Sequence, residues 1–216
     1  LELTARDLKT VLADAKIAKL FEPTRDELVI TLRTRTDTYA LLLSARSGSA
    51  RACLTQDTFE NPAVPPSFCM LLRKHLGSAK LVALRQIGLD RILHLIFETR
   101  NEMGDLVQLT LAIEIMGRHS NIILIDEEGR VIDSIKRIDD TMSSVRPILP
   151  GVHYTLPPAQ DKLNLIESTP EQIEQRLRSG KDTPLSKALL AAIQGVSPIV
   201  CREIANYVFN GDDCVV

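Results

Sequence analysis

The chain has 216 residues, enough for one large domain or one domain with a small satellite. Hydrophobic residues make up 44% and charged residues 25%, which suits a globular protein, and with no Trp and 4% aromatics its core must be aliphatic. A net charge of −2 excludes the overall basic signature of many nucleic-acid binders but leaves room for local patches. The basic character is uneven: residues 67–100 hold six Lys or Arg against two acids, whereas residues from 151 onward hold six against eight. Cys53, Cys69, Cys201 and Cys214 are scattered without CxxC or His spacing, so free thiols are expected and no metal or other cofactor. No apolar run approaches ~18 residues, so a cytosolic protein without membrane contact is expected.

In chain order, Thr4 and Asp7 resemble a capping box before Leu8, Val11, Leu12 and Ala15, which predicts a helix over 4–15. A strand over 16–21 should stop at Pro23. Leu28, Ile30 and Leu32 alternate with polar residues as in a half-buried strand, and strands near 38–45 and 50–54 follow around Ser47-Gly48-Ser49. Asn61 to Pro66 reads as a loop, and Phe68, Leu71, Leu72 and Leu76 as a helix ending at Gly77. Further strands are expected near 81–87, 91–99, 106–115, 121–126 and 130–136. Residues 139–161, with four prolines and few periodic apolar positions, read as an extended linker. Beyond it Thr169-Pro170 with Gln172 forms a second capping-box pattern, Pro184 opens another helix, and Gly195-Val196-Ser197-Pro198 separates that helix from the next. The expected fold class is α+β, a mostly antiparallel β domain followed by a small helical domain.

Four segments could carry function. The helix–Gly195 turn–helix fits a helix-hairpin-helix, whose glycine and helix N-terminus suit a phosphate backbone, or an ordinary αα corner. Asp90 and Arg91 sit beyond Gly88 between two strands, where the acid can orient the arginine fork, or where both are simply solvated. Gly117, Arg118, His119, Ser120 and Asn121 are dense in hydrogen-bonding groups for a hairpin tip and can bind phosphate or satisfy one another. Lys136, Arg137 and Arg146 add positive charge before the linker. No GxSxG, P-loop, GxGxxG or HExxH is present, which argues against an enzyme.

Five ordered blocks resemble the N-terminal region of the NFACT family, which includes RqcH-type proteins of ribosome-associated quality control. They are residues 61–76, Gln86 to Ile92, Glu114 to Asn121, Asp133 to Ile138, and Ser143 to Tyr154. The resemblance implies an NFACT-N domain over 1–155, similar in fold to the N-terminal domain of formamidopyrimidine-DNA glycosylases. It also implies a helix-hairpin-helix domain over 160–216, with the family's coiled coil and NFACT-R domain absent from this chain. Glycosylase chemistry is not implied, because the N-terminal proline and zinc finger of those enzymes have no counterpart here. The implied partners are tRNA, alanyl-tRNA in bacteria, and the large ribosomal subunit carrying a stalled peptidyl-tRNA, for tailing of the nascent chain. Asp90 and Arg91 map onto the family's tRNA-contacting pair, with Arg118, His119, Ser120 and Asn121 on the same surface. Arg73, Lys74, Arg85, Lys136, Arg137 and Arg146 are expected to add backbone contacts. The alternative that the family suggests is a surface adhesin for fibronectin or fibrinogen.

Overall fold

A computed structural model describes residues 1–139, 141, 146–180 and 182–211. Ser143-Ser144-Val145 and Cys214 lie outside the described residues. The chain divides into two compact units, residues 1–155 and 156–216.

The first unit is built on nine antiparallel strands. β1 (Lys16–Thr24), β2 (Glu27–Arg33), β3 (Thr38–Ser44) and β4 (Arg51–Thr55) form one meander. β5 (Lys80–Gln86), β6 (Ile92–Arg100), β7 (Leu106–Glu114), β8 (Asn121–Ile125) and β9 (Val131–Ser134) form another. The two join where β1 meets β5, through the single register pair Lys16↔Lys80. Alternation at period two sends Leu28, Ile30, Leu32, Leu93, Leu95, Phe97, Leu111 and Ile113 into one aliphatic core. Two helices complete that core. α1 (Glu2–Leu12) buries Ala5, Leu8 and Leu12, and α2 (Ser67–Leu76) buries Phe68, Cys69, Leu72 and Leu76. The amide of Cys69, in the first turn of α2, is taken by the Glu22 carboxylate from β1 at 3.0 Å, supplying an acceptor that the N-cap Pro66 cannot. Beyond β9, the Lys136 ammonium donates to the Ala45 carbonyl at 2.6 Å and lies 3.2 Å from the Asp26 carboxylate, so the chain after the last strand is tied back to the open end of the β2–β3 hairpin.

Three local expectations change. Thr4 lies within α1 and caps nothing; Leu1 is the N-cap, and the stripe Ala5–Leu8–Leu12 rather than a capping side chain positions the helix. β1 does not stop at Pro23. It runs to Thr24, because the register shift between Phe21 and Thr24 accommodates a residue that has no N–H to donate. Residues 146–154 of the expected linker are packed rather than linking. Ile138 and Ile148 exchange backbone hydrogen bonds, and Val152 and Tyr154 pair with Val131 and Gly129. Ile148 then closes a second small core on the opposite sheet face with Ala112, Ile123, Ile125 and Val131, which is why every residue of β8 is buried.

The second unit holds α3 (Pro170–Arg178), α4 (Leu185–Ala192) and α5 (Pro198–Phe209). The short strands β10 (Leu163–Asn164) and β11 (Ile193–Gln194) pair in parallel. Thr169 and Gln172 exchange both capping-box hydrogen bonds, and Ser197 accepts from the Val200 amide at 3.3 Å. Leu185, Leu189, Ala192, Cys201 and Ala205 form its core. Gly195 takes φ +86°, a conformation open to glycine, and turns the chain from α4 into α5. Among the described residues no helix is long and apolar enough to cross a membrane.

Candidate nucleic-acid interface

The β5–β6 turn and the β7–β8 turn lie at the same end of the sheet. Gly88, at φ +52°, bends the first, and the Asp90 amide closes it onto the Ile87 carbonyl at 3.0 Å. The Gln86 amide adds a bond to the Asp90 carbonyl at 2.8 Å. The second turn is a single 3-10 turn, Gly117–His119, opened by Gly117 at φ +59°. A hydrogen bond of 2.8 Å from the Ile115 amide to the Arg91 carbonyl joins the two turns. Arg91, Arg118 and His119 are exposed there, with the Arg118 Nε 3.0 Å from the His119 Nε2.

Behind these turns lies a buried ion pair. Glu114, the last residue of β7, is fully buried, and both its oxygens receive the Arg146 fork, one of them from Nη1 at 2.9 Å. The Tyr154 hydroxyl donates to the same carboxylate at 2.8 Å, and the Arg146 guanidinium lies 5.1 Å from the Tyr154 ring. Burial and the neighbouring Glu114 charge push the Tyr154 phenol well above its usual range. The His94 ring packs edge-on to Tyr154 at 5.8 Å. Burial, helped by the nearby Arg85 cation, lowers the His94 pKa to about 4, so its ring is neutral near pH 7.

Asp90, Arg91, Arg118, His119, Ser120, Asn121, Lys136 and Arg146 thus gather around one end of the sheet, but not as equals. Ser120 and Asn121 are buried. The Ser120 hydroxyl accepts from the Met116 amide at 2.8 Å. Asn121 donates to the Lys136 carbonyl at 2.7 Å and accepts from the Ile122 and Lys136 amides, so both side chains hold the turn from within. Lys136 and Arg146 are likewise engaged inside the fold. Arg137 forms a two-pronged bridge to Asp133 at 2.9 and 2.8 Å. Burial works against the Asp133 charge, but Arg137 and the Ser134 amide outweigh it and hold the carboxyl below its usual range.

Arg85 is exposed on β5, opposite His94. Arg73 lies on α2 and gives both prongs to the Leu20 carbonyl at 3.0 and 2.7 Å. Lys74 pairs with Glu102 at 2.8 Å, at the far end of β6, roughly 30 Å of strand from the Arg91 turn. The sequence reading missed the part of His94 and the carboxylate of Glu114. The pairing of residues 114 and 146 across 32 positions leaves no local signal. Among the described residues no group of three or more His, Cys, Asp or Glu side chains could hold a metal ion.

The architecture is that of an α+β protein with a mostly antiparallel sheet, and solved structures share it. The N-terminal domain of the fibronectin-binding protein PavA from Streptococcus pneumoniae matches with a TM-score of 0.85 and 35% identity, covering 95% of this chain and 77% of that one. The N-terminal part of the fibronectin/fibrinogen-binding protein from Streptococcus suis matches with a TM-score of 0.84 and 37% identity, again covering 95% and 77%. The family model for the NFACT N-terminal and middle domains matches residues 1–213. The chain belongs to the NFACT family. The Rqc2 homolog RqcH of Bacillus subtilis is 39% identical over 198 residues, 91% of this chain and 35% of that protein. The ribosome quality control complex subunit NEMF of Mus musculus is 30% identical over 156 residues, 68% of this chain and 14% of that protein. The chain therefore spans about a third of the length of the bacterial relatives it matches.

Proposed function

We propose that this chain is the tRNA-binding module of a ribosome-associated quality-control protein, and that Arg91 and Arg118 are its principal phosphate contacts. The observation that carries the reading is the joining of two turns by the Ile115–Arg91 hydrogen bond, which puts an exposed arginine on each of two adjoining turns at one end of the sheet. In this reading Asp90 orients Arg91, and His119 and Arg85 widen the contact. Ser120, Asn121 and the Glu114–Arg146 pair hold the turns rigid from behind. Such contacts position a nucleic-acid backbone without reading its sequence. The relatives' names, Rqc2 homolog and ribosome quality control complex subunit, support the setting. In that setting the whole protein joins a stalled large ribosomal subunit and recruits alanyl-tRNA for tailing, and this part of it performs no catalytic step. We further read residues 1–155 as the counterpart of the formamidopyrimidine-DNA glycosylase N-terminal fold, and α4–Gly195–α5 as a helix-hairpin-helix.

The test is binding of labelled alanyl-tRNA by this chain at rising salt, beside the Asp90→Ala/Arg91→Ala variant. Affinity should fall steeply with salt and drop about 10-fold or more in the variant. Unchanged affinity in the variant removes the turn from the interface. A second reading, binding to fibronectin or fibrinogen, is motivated by the names of the two streptococcal proteins that share the fold. Saturable binding of the chain to immobilised fibronectin, unaffected by competing tRNA, would favour it.

A further inference from the structure

The first meander carries a charge arrangement that packing does not require. Register places Arg33 of β2 opposite Lys16 of β1, and Lys16 opposite Lys80 of β5. Three cations thus lie side by side across three strands, where like charges directly opposite are destabilising. Asp14 answers Lys80 at 2.8 Å. Among the described residues no hydrogen bond or ion pair engages the side chains of Lys16, Lys19 or Arg33.

A bulge enlarges the row. The register shift between Ile17 and Lys19 inserts Ala18, so Ile17 and Leu20 both enter the core while Lys16 and Lys19 are both exposed. Without the extra residue, strict alternation would put Lys19 on the core face with Ile17. Beside Lys19 lies an open hollow of about 630 Å³, lined also by Arg33, Arg35, Thr31 and Thr38. Its one acid, Asp37, accepts the Thr36 hydroxyl at 2.6 Å. A second hollow of about 430 Å³ shares Lys19 and Phe21 with the first. Phe21 is half-buried there, and its ring lies 5.7 Å from the Arg73 guanidinium.

We propose that this face, centred on Lys16, Lys19 and Arg33, is a second RNA-backbone surface, separate from the Arg91–Arg118 turns. Unpaired cations beside threonine hydroxyls suit phosphate and sugar oxygens, and a partly exposed aromatic ring offers a platform for a base. β5 starts at Lys80 beside this face and ends at Gln86 beside the Arg91 turn, a span of roughly 20 Å. One folded RNA can therefore engage both surfaces, each raising the effective concentration at the other. The inference shares the partner class proposed above but none of its residues.

The test uses the intact 216-residue chain and fluorescently labelled deacylated tRNA as probe, with affinities measured over a series of salt concentrations. The Lys19→Gln/Arg33→Gln variant is compared with Asp90→Ala/Arg91→Ala, and thermal denaturation checks that each is folded. The expected result for Lys19→Gln/Arg33→Gln is about 10-fold weaker binding at ~0.1 M salt, with a log–log salt slope shallower by about 1.5, the share of two phosphate contacts. Unchanged affinity and slope in that variant overturn the inference, and if Asp90→Ala/Arg91→Ala then loses binding, the first reading stands alone. Loss only in Lys19→Gln/Arg33→Gln upholds this surface and removes the turn assignment. An unsubstituted chain that binds no tRNA overturns both. Tighter binding of polyglutamate than of tRNA would assign the face to an acidic protein and overturn it as well.

Discussion

Arg146 shows how far a single residue's role can depart from its local sequence. Between Val145 and Pro147 it reads as a solvated charge, but its side chain is 11% exposed and its fork closes on a carboxylate with no exposure at all. Arg146→Ala would leave Glu114 buried and uncompensated, and is expected to cost about 3–5 kcal/mol in urea denaturation. Tyr154→Phe, which removes one of the hydrogen bonds to that charge, should cost about 1.5–3 kcal/mol. His94 yields a pH signature. Its pKa is lowered from 6.5 to about 4 in the folded chain, so between those values the unfolded chain binds the extra proton. Its contribution is neutral above pH 6.5, and stability is lost progressively as pH falls from 6.5 towards 4. Denaturation midpoints measured across that window should show a flatter slope in His94→Gln; an unchanged slope would mean that the ring titrates normally. That Arg91 and Arg118, the exposed residues of the candidate site, lie at turns was legible in the sequence from the nearby Gly88 and Gly117. The buried members were not, because Ser120 and Asn121 look like any other hydrogen-bonding residues until burial shows which way they point.

At the scale of elements, periodicity located β6, where burial alternates along the strand, whereas β2, expected to be half-buried, is covered on both faces from Glu27 to Ile30. The covered strands β2 and β8 were still marked by their apolar runs, and the pattern failed where the chain is irregular. Residues 146–154 show no alternation because they are held by backbone bonds to Val131 of β9 and by Ile148 in the second core rather than by strand pairing along their length. Their prolines suggested a linker, but Pro150 opens a turn with Gly151, and irregular chain can pack as readily as it can link. Pro23 misled for a related reason, since a proline is a breaker only where its amide would be needed, and a bulge removes that need. The Thr169 capping box was readable because its bonds are local, within three residues. Thr169→Ala is expected to cost about 1 kcal/mol of stability in the second unit, read as a lowered melting temperature. Gly88→Ala meets no atom within 4 Å but must hold φ +52°, so it is expected to cost about 1–2 kcal/mol through backbone strain alone.

At the scale of the whole molecule, the two meanders give most strands a partner that is next in the chain, the exception being the β1–β5 joint. Hairpins of this kind can form before distant parts of the chain have met, since each closes only a short loop. The Lys136 contact differs, because its ammonium reaches the Ala45 carbonyl from 91 residues away. A tie between such distant residues is expected to form after the barrier to folding has been crossed. Its loss should then appear on the unfolding side of a denaturant–rate plot, with Lys136→Met unfolding several-fold faster while refolding at nearly the unsubstituted rate. The lysine would act as a latch on the time the sheet stays closed, leaving the speed with which it assembles almost untouched.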